Sequence, residues 1–210
     1  MAQSEVLVSI IVPAYNAELF LEKAISSLNL HKNKSWEAII VENGSSDKTT
    51  IVANGLQDAD QIRLFHSDKG VSCARNVGIN HARGRWILFL DADDTVLSEN
   101  IEKIFDNNWA EKADVIIGRY KEKNESYRGT TEILNGSKAI QDYIITCMND
   151  PTQKCNATAV FFKRKMLVKS NILFDESLSH AEDSLFFLKV LLTSPRILIY
   201  DLPIYEVYYN

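Results

Sequence analysis

The sequence predicts an α/β fold: a mostly parallel, doubly wound sheet with helices on both faces, followed by a mixed C-terminal region. Three observations predict it. Apolar, β-branched runs alternate with segments of helical periodicity through the first half, the order that yields parallel strands joined by crossovers. The runs Val6–Val12 and Trp86–Leu90 lack polar alternation, as strands covered on both faces do. The polar residues best able to do chemistry follow these strands directly, where sheets of this kind form a ligand crevice.

The elements follow in order. Val6–Val12 is a strand expected to stop at Pro13, which has no N–H for a ladder. Phe20, Leu21, Ala24, Ile25 and Leu28 recur at helical spacing. Ala38–Val41 is a second buried strand. Asn43-Gly44-Ser45-Ser46-Asp47 is turn and cap chemistry, with a helix expected to about Leu56. Ile62–Phe65 is a third strand, Ser72–His81 a helix, Trp86–Leu90 a fourth strand, Glu99–Trp109 a helix and Val115–Tyr120 a strand. Beyond these, Lys121–Thr131 is predicted to be an exposed loop and Ser137–Met148 a helix. Thr158–Phe162 follows as a strand, Arg164–Lys169 as a short helix and Glu182–Leu192 as a longer one, with Leu185, Phe186 and Leu188 facing a core. Arg196–Tyr200 and Ile204–Tyr209 are predicted as two final strands. No repeat or clean boundary divides the chain, so residues 1–210 are read as one domain with a distinct C-terminal region.

Composition narrows the class. A 210-residue chain, 46% hydrophobic, can bury a sizeable core. A net charge of −5 with mixed signs argues against a nucleic-acid binder, which needs a basic face. Cysteines at 73, 147 and 155 form neither a disulfide framework nor a zinc pattern, which favours a reduced, cytoplasmic setting. No signal peptide and no apolar run near the length of a spanning helix occurs, while peripheral membrane contact remains open.

Asp91-Ala92-Asp93-Asp94 places three carboxylates in four residues at a strand end. Like charges this close repel unless a cation sits among them, and a hard divalent ion such as Mg²⁺ or Mn²⁺ takes carboxylate oxygens while sharing phosphate. If strand geometry persists, Asp91 and Asp93 point the same way. Taken alone, an acidic turn capping the next helix is the commoner reading. Glu182-Asp183 opens a helix: a carboxylate there can take a proton from a hydroxyl, or simply complement the helix dipole. In Gly70–Gly78, small residues permit close backbone approach and Arg75 can pair with phosphate, although taken alone a surface arginine on a helix is the better reading. In Pro13-Ala14-Tyr15-Asn16, Tyr15 can stack on a base or serve only the turn. Glu42 and Asn43 can accept hydrogen bonds from a base or ribose, or form a turn and cap. His180 lies close enough to Glu182 in sequence to reach the same site. No G-x-G-x-x-G, Walker A loop or G-x-S-x-G elbow is present.

These segments occur together and in order: Val8–Asn16, Ile40–Asp47, Gly70–Gly78, Phe89–Asp94 and His180–Phe186. In that combination the sequence resembles the family 2 inverting glycosyltransferases of the GT-A fold, of the bacterial cell-surface polysaccharide type, over essentially the whole chain. The resemblance implies residues 1–120 as a nucleotide-sugar-binding half and 121–210 as an acceptor-side half. It implies transfer of a hexosyl or N-acetylhexosaminyl group from a nucleotide diphosphate-sugar to a hydroxyl of a glycan or lipid-linked acceptor. Pro13, Ala14, Tyr15, Asn16, Glu42, Asn43, Arg75, Asp91 and Ala92 would surround the nucleotide-sugar. Asp93 would be the chief ligand of Mn²⁺ or Mg²⁺, with Asp91 on metal or ribose and Asp94 open. Asp183 would be the base, with Glu182 beside it.

The family often has two aspartates where this chain has Glu42-Asn43. Asn43 can still accept from a uracil N–H, so UDP is the expected nucleotide. The resemblance further implies work at the inner face of the plasma membrane, and a chain that continues past Asn210 toward membrane-associating helices. Two other readings stand beside it: a non-catalytic nucleotide-sugar-binding module and a sugar nucleotidyltransferase. The sugar, the acceptor and the oligomeric state do not follow from the sequence. Cys155 and Asn156 are placed on the acceptor side.

Overall fold

The computed structural model describes residues 5–33, 35–58, 60–106, 109–121, 131–149, 157–193 and 196–208. Most of the predicted 121–131 loop, together with Cys155, Asn156 and Tyr209, falls outside them.

The first half alternates β1 (Val8–Ala14), α1 (Leu21–Ser27), β2 (Trp36–Glu42), α2 (Thr49–Leu56), β3 (Ile62–His66), α3 (Val71–His81) and β4 (Trp86–Phe89). After these come β5 (Thr95–Val96), α4 (Ser98–Asp106), a 3-10 turn at Trp109–Lys112, β6 (Val115–Tyr120), β7 (Thr131–Asn135) and α5 (Ser137–Asn149). The chain closes with β8 (Val160–Lys163), α6 (Arg164–Lys169), α7 (Glu182–Thr193) and β9 (Arg196–Glu206).

All nine described strands join one sheet, in the order β3-β2-β1-β4-β8-β6-β9-β5, with β7 also pairing β9. β3, β2, β1 and β4 are mutually parallel. β8 runs antiparallel to both β4 and β6, so the sheet becomes mixed there, as expected of the C-terminal part. Burial explains the unalternated strands. Val8, Ile10 and Val12 pack into a core with α1, α2 and α4, while Ile11 packs into a second core with α3, α6 and α7. Both faces of the sheet are therefore covered by helices.

Several boundaries differ from expectation. β1 passes through Pro13 and ends at Ala14, with Pro13 in register with Val41. Ile11 accepts from the Leu90 N–H on the β4 side. Pro13, two residues on, turns its imide nitrogen to that same side, past the end of β4, where no ladder bond is lost. The two predicted final strands are one, β9, which carries Pro203 beside an irregularity in its pairing with β6. A bulge absorbs a residue that cannot donate. The short strand β5 and the edge strand β7 had no sequence signal strong enough to mark them. α4 stops at Asp106. In α7 the buried positions are Phe186, Phe187, Val190 and Leu191, whereas Leu188 is 40% exposed.

One close approach sets the position of α3. A Cβ on Gly78 would lie 2.3 Å from Cγ2 of Ile11, so only glycine lets this helix settle on β1. The small residues of the Gly70–Gly78 segment thus serve helix-on-sheet packing here.

Candidate active site

β1 lies between β2 and β4, and the chain progresses outward from it in both directions. Such a reversal opens a crevice at the carboxyl ends of the strands. A cleft of about 220 Å³ occupies that place. Its wall is Pro13 near the end of β1 and Tyr15, Asn16, Ala17 and Phe20 after it; Asn43 follows β2, Val71 opens α3, and Asp91, Ala92 and Asp93 follow β4.

The loop after β1 is stitched to the loop after β2. Asn16, in the left-handed region at φ 48°, receives the Ser46 N–H on its side-chain oxygen at 2.9 Å. Its own N–H donates to Ser45 Oγ at 3.1 Å, and Ala17 N–H donates to Thr49 Oγ1 at 2.7 Å. Asp47 caps the start of α2 through the Thr49 N–H at 2.9 Å, as the turn chemistry predicted. Tyr15 is left 41% exposed at the rim, with Lys69 Nζ 4.7 Å from its ring centroid. Ala14 is fully buried in β1 and does not line the cleft.

Glu42 and Asn43 have opposite fates. The Glu42 carboxylate is buried and engaged: Oε1 accepts the Ser45 N–H at 2.6 Å and Oε2 faces His66 Nδ1 at 3.3 Å. Burial works to raise its pKa, but hydrogen bonds from Ser45 and the nearby His66 hold it below the ordinary carboxylate value. Asn43 is 4% exposed, yet its Oδ1 has no partner among the described residues. A buried acceptor without a donor is costly, and this one belongs to a side chain lining the cleft.

Asp91–Asp94 is a turn, closed by Asp94 N–H to Asp91 O at 3.1 Å, so the aspartates do not alternate as on a strand. Asp91 and Asp93 both line the cleft, while Asp94 is buried behind it. Asp94 accepts the Tyr208 N–H at 3.0 Å and is hydrogen-bonded by the Tyr205 hydroxyl. Desolvation nevertheless pushes its pKa above the ordinary aspartate value, and Asp91 and Asp93 add to that. Tyr205, fully buried on β9, also receives the Asp91 N–H on its hydroxyl at 3.0 Å. The turn is thus braced from the chain's far end, a support that no local sequence signal predicts. Among the described residues, no donor or cation pairs with the Asp93 carboxylate, and no three carboxylate, imidazole or thiol groups form a complete metal cage.

Arg75 is 5% exposed and does not line the cleft. Its Nη2 donates to Asp91 Oδ1 at 3.0 Å and its Nη1 to Glu182 Oε1 at 3.2 Å. The first turn of α7 is thereby joined through α3 to the aspartate turn after β4. Asp183 is half-buried, accepts the Ser184 N–H at 2.7 Å and forms no ion pair among the described residues. His180 is exposed on the loop before α7 and does not line the cleft.

The model for "Glycosyl transferase family 2" matches residues 9–170. The chain belongs to this family. Among its relatives, the Bacillus subtilis protein described as "Uncharacterized glycosyltransferase EpsJ" is 31% identical over 209 residues, covering 95% of this chain and 60% of that protein. The Escherichia coli "UDP-Glc:alpha-D-GlcNAc-diphosphoundecaprenol beta-1,3-glucosyltransferase WfgD" is 32% identical over 141 residues, 66% of this chain and 51% of its own. In fold, S. aureus TarS, crystallised with UDP, superposes with a TM-score of 0.78 over 97% of this chain and 61% of that one, at 23% identity. The GT-A architecture expected from the resemblance is therefore the observed one. This family 2 chain spans about 60% of the length of EpsJ.

Proposed function

We propose that this chain is the catalytic part of an inverting glycosyltransferase that uses a UDP-sugar and glycosylates a hydroxyl of a glycan or lipid-linked glycan acceptor. The observation that carries the donor assignment is Asn43, which lines the cleft and whose buried Oδ1 has no partner among the described residues. A uracil N3–H is the donor it lacks. The half-exposed Tyr15 ring offers a stacking face across the same space. UDP occupies the related fold of TarS, and the name of WfgD specifies UDP-Glc and a diphosphoundecaprenol-linked acceptor.

The residues fit a divalent cation that is shared with the donor. Asp93 lines the cleft with a carboxylate that no described residue pairs, Asp91 lines it too, and two such carboxylates suit a hard ion that would share the diphosphate and water. Mn²⁺ or Mg²⁺ so held would neutralise charge developing on the leaving diphosphate. Tyr205 and Tyr208 hold the turn that presents these carboxylates. Arg75, with both arms on carboxylates, supports the cleft from behind. Asp183 takes the proton of the acceptor hydroxyl, whose oxygen bonds to the anomeric carbon as the bond to the diphosphate breaks. One displacement inverts that carbon. A lipid-linked acceptor puts the reaction at the inner face of the plasma membrane. Among the described residues no helix is long and apolar enough to cross a membrane.

A melting-temperature panel with Mn²⁺ tests the reading, because only ligands that bind the folded state raise the transition. UDP and UDP-sugars should raise it more than the ADP, GDP and CDP counterparts, and EDTA should abolish the rise. Equal shifts for all bases would remove the uracil assignment. Binding without turnover across a panel of UDP-sugars and lipid-linked acceptors would favour the non-catalytic module.

A further inference from the structure

The geometry points to Arg75 as a strut that couples donor binding at Asp91 to the placement of Asp183, with Glu182 as the arm that transmits the coupling and not as a second base. This inference rests on the proposed donor site.

Three observations carry it. First, the guanidinium is a rigid planar fork, and its two Nη groups hold two carboxylates at once, that of Asp91 in the cleft wall at 3.0 Å and that of Glu182 at the start of α7 at 3.2 Å. Its third donor, Nε, is buried with no partner among the described residues. The arginine thus satisfies the two carboxylates at the expense of its own hydrogen-bonding complement. Second, the two carboxylates differ in access. The Asp91 side chain is 39% exposed and faces the cleft, whereas that of Glu182 is 14% exposed and sits behind it. Glu182 is poorly placed to meet an acceptor hydroxyl, while its neighbour Asp183 forms no ion pair among the described residues. Third, the same arginine lies 5.1 Å from the Phe174 ring centroid, and Phe174 stacks on Phe186 of α7 with centroids 4.0 Å apart. Arg75 therefore meets the start of α7 by charge and is linked to Phe186 of α7 through Phe174.

The consequence follows from electrostatics at low exposure, where each partner of a charge competes with the other. When Asp91 shares its charge with a cation and diphosphate, its hold on Arg75 weakens. Glu182 then takes the larger share, and the first turn of α7 is anchored more firmly with Asp183 in it. Donor binding orders the acceptor side before the acceptor arrives.

Hydrogen exchange tests this with UDP and Mn²⁺ as the probe. The Leu185 N–H donates to Ala181 O at 3.0 Å, and that amide and the Phe186 amide report on the helix start. Saturating UDP with Mn²⁺ should slow their exchange in the wild type by about fivefold or more. Glu182→Gln and Arg75→Lys, each saturated at its own measured Kd, should show less than about twofold slowing. Arg75→Lys retains the charge without the fork, so it remains informative if Glu182→Gln does not fold. A purely structural role would alter exchange equally with and without UDP, and that outcome overturns the coupling. So does a full wild-type increment in both variants, or no increment in saturated wild type. Failure of the wild type to bind UDP at all is a different result, and it removes the donor assignment together with the coupling that rests on it.

Discussion

The hydroxyl of Tyr205 accepts a hydrogen bond from the Asp91 backbone N–H at 3.0 Å, across 114 residues of sequence. The same hydroxyl meets the Asp94 carboxylate, and burial, followed by the charges of Asp91 and Asp94, pushes the tyrosine's own pKa well above its ordinary value. Tyr205→Phe keeps the ring and removes this brace. It should cost about 1–3 kcal/mol of stability, the range for leaving buried partners unpaired. Chemical denaturation measures the cost. Calorimetry should also find weaker UDP binding in Mn²⁺, because the loosened turn carries Asp91 and Asp93.

Asp93 and Asp183 should separate binding from chemistry. Asp93→Asn is expected to weaken UDP binding in Mn²⁺ while changing little in EDTA. Asp183→Asn should retain metal-dependent UDP binding and lose transfer by about 10²–10⁴-fold, the usual contribution of a general base. Full activity in Asp183→Asn would end its assignment as base, and metal-independent UDP binding by the wild type would end the metal role.

Asp94 predicts a pH effect of definite sign. Its folded-state pKa is raised, chiefly by desolvation, above the ordinary 3.8. The folded protein therefore binds this proton more tightly than the unfolded chain does. The stability contributed by the protonated form is complete below pH 3.8 and is lost as pH rises through the folded pKa. Asp94→Asn keeps an acceptor for the Tyr208 N–H without the charge. The stability of Asp94→Asn relative to wild type should grow as pH rises from 3.8, in denaturation curves recorded in EDTA. A difference that is flat with pH would show that Asp94 is not desolvated as described.

Gly78→Ala tests the seat of α3. The added methyl meets Ile11 Cγ2 at 2.3 Å, and overpacking of this kind costs about 1–3 kcal/mol. A second change, Ile11→Val, trims the opposing side chain and should recover part of the loss. Measured melting temperatures of the two single variants and the double variant decide whether the contact is direct.

Much of the first half of the chain was legible in the sequence. Ile10 and Ile11 already required a strand covered on both faces, since neighbouring residues point to opposite sides and both are apolar. Asp47 signalled the start of α2 by its own chemistry. Pro13 misled because the rule it triggers concerns a missing N–H, and the side of the strand that N–H would face depends on where the neighbour ends. Leu188 misled because α7 is apolar around much of its circumference, so periodicity alone does not choose its inner face.

The sequence by itself determined the strand-end location of the cleft and the residue types in its walls, because those follow from local periodicity and from motifs a few residues long. Only the tertiary structure decided what each polar group does. Glu42 and Asn43 are neighbours in sequence, yet one carboxylate is occupied by Ser45 and His66 while the adjacent buried amide oxygen has no partner among the described residues. Arg75 turned from a phosphate ligand into a bridge because Glu182, 107 residues away, is brought to 3.2 Å. The physical reason is range. A charge or hydrogen-bonding group is defined by what lies within about 3 Å of it, and across a sheet of crossovers those neighbours are set by strand order, which no short stretch of sequence contains.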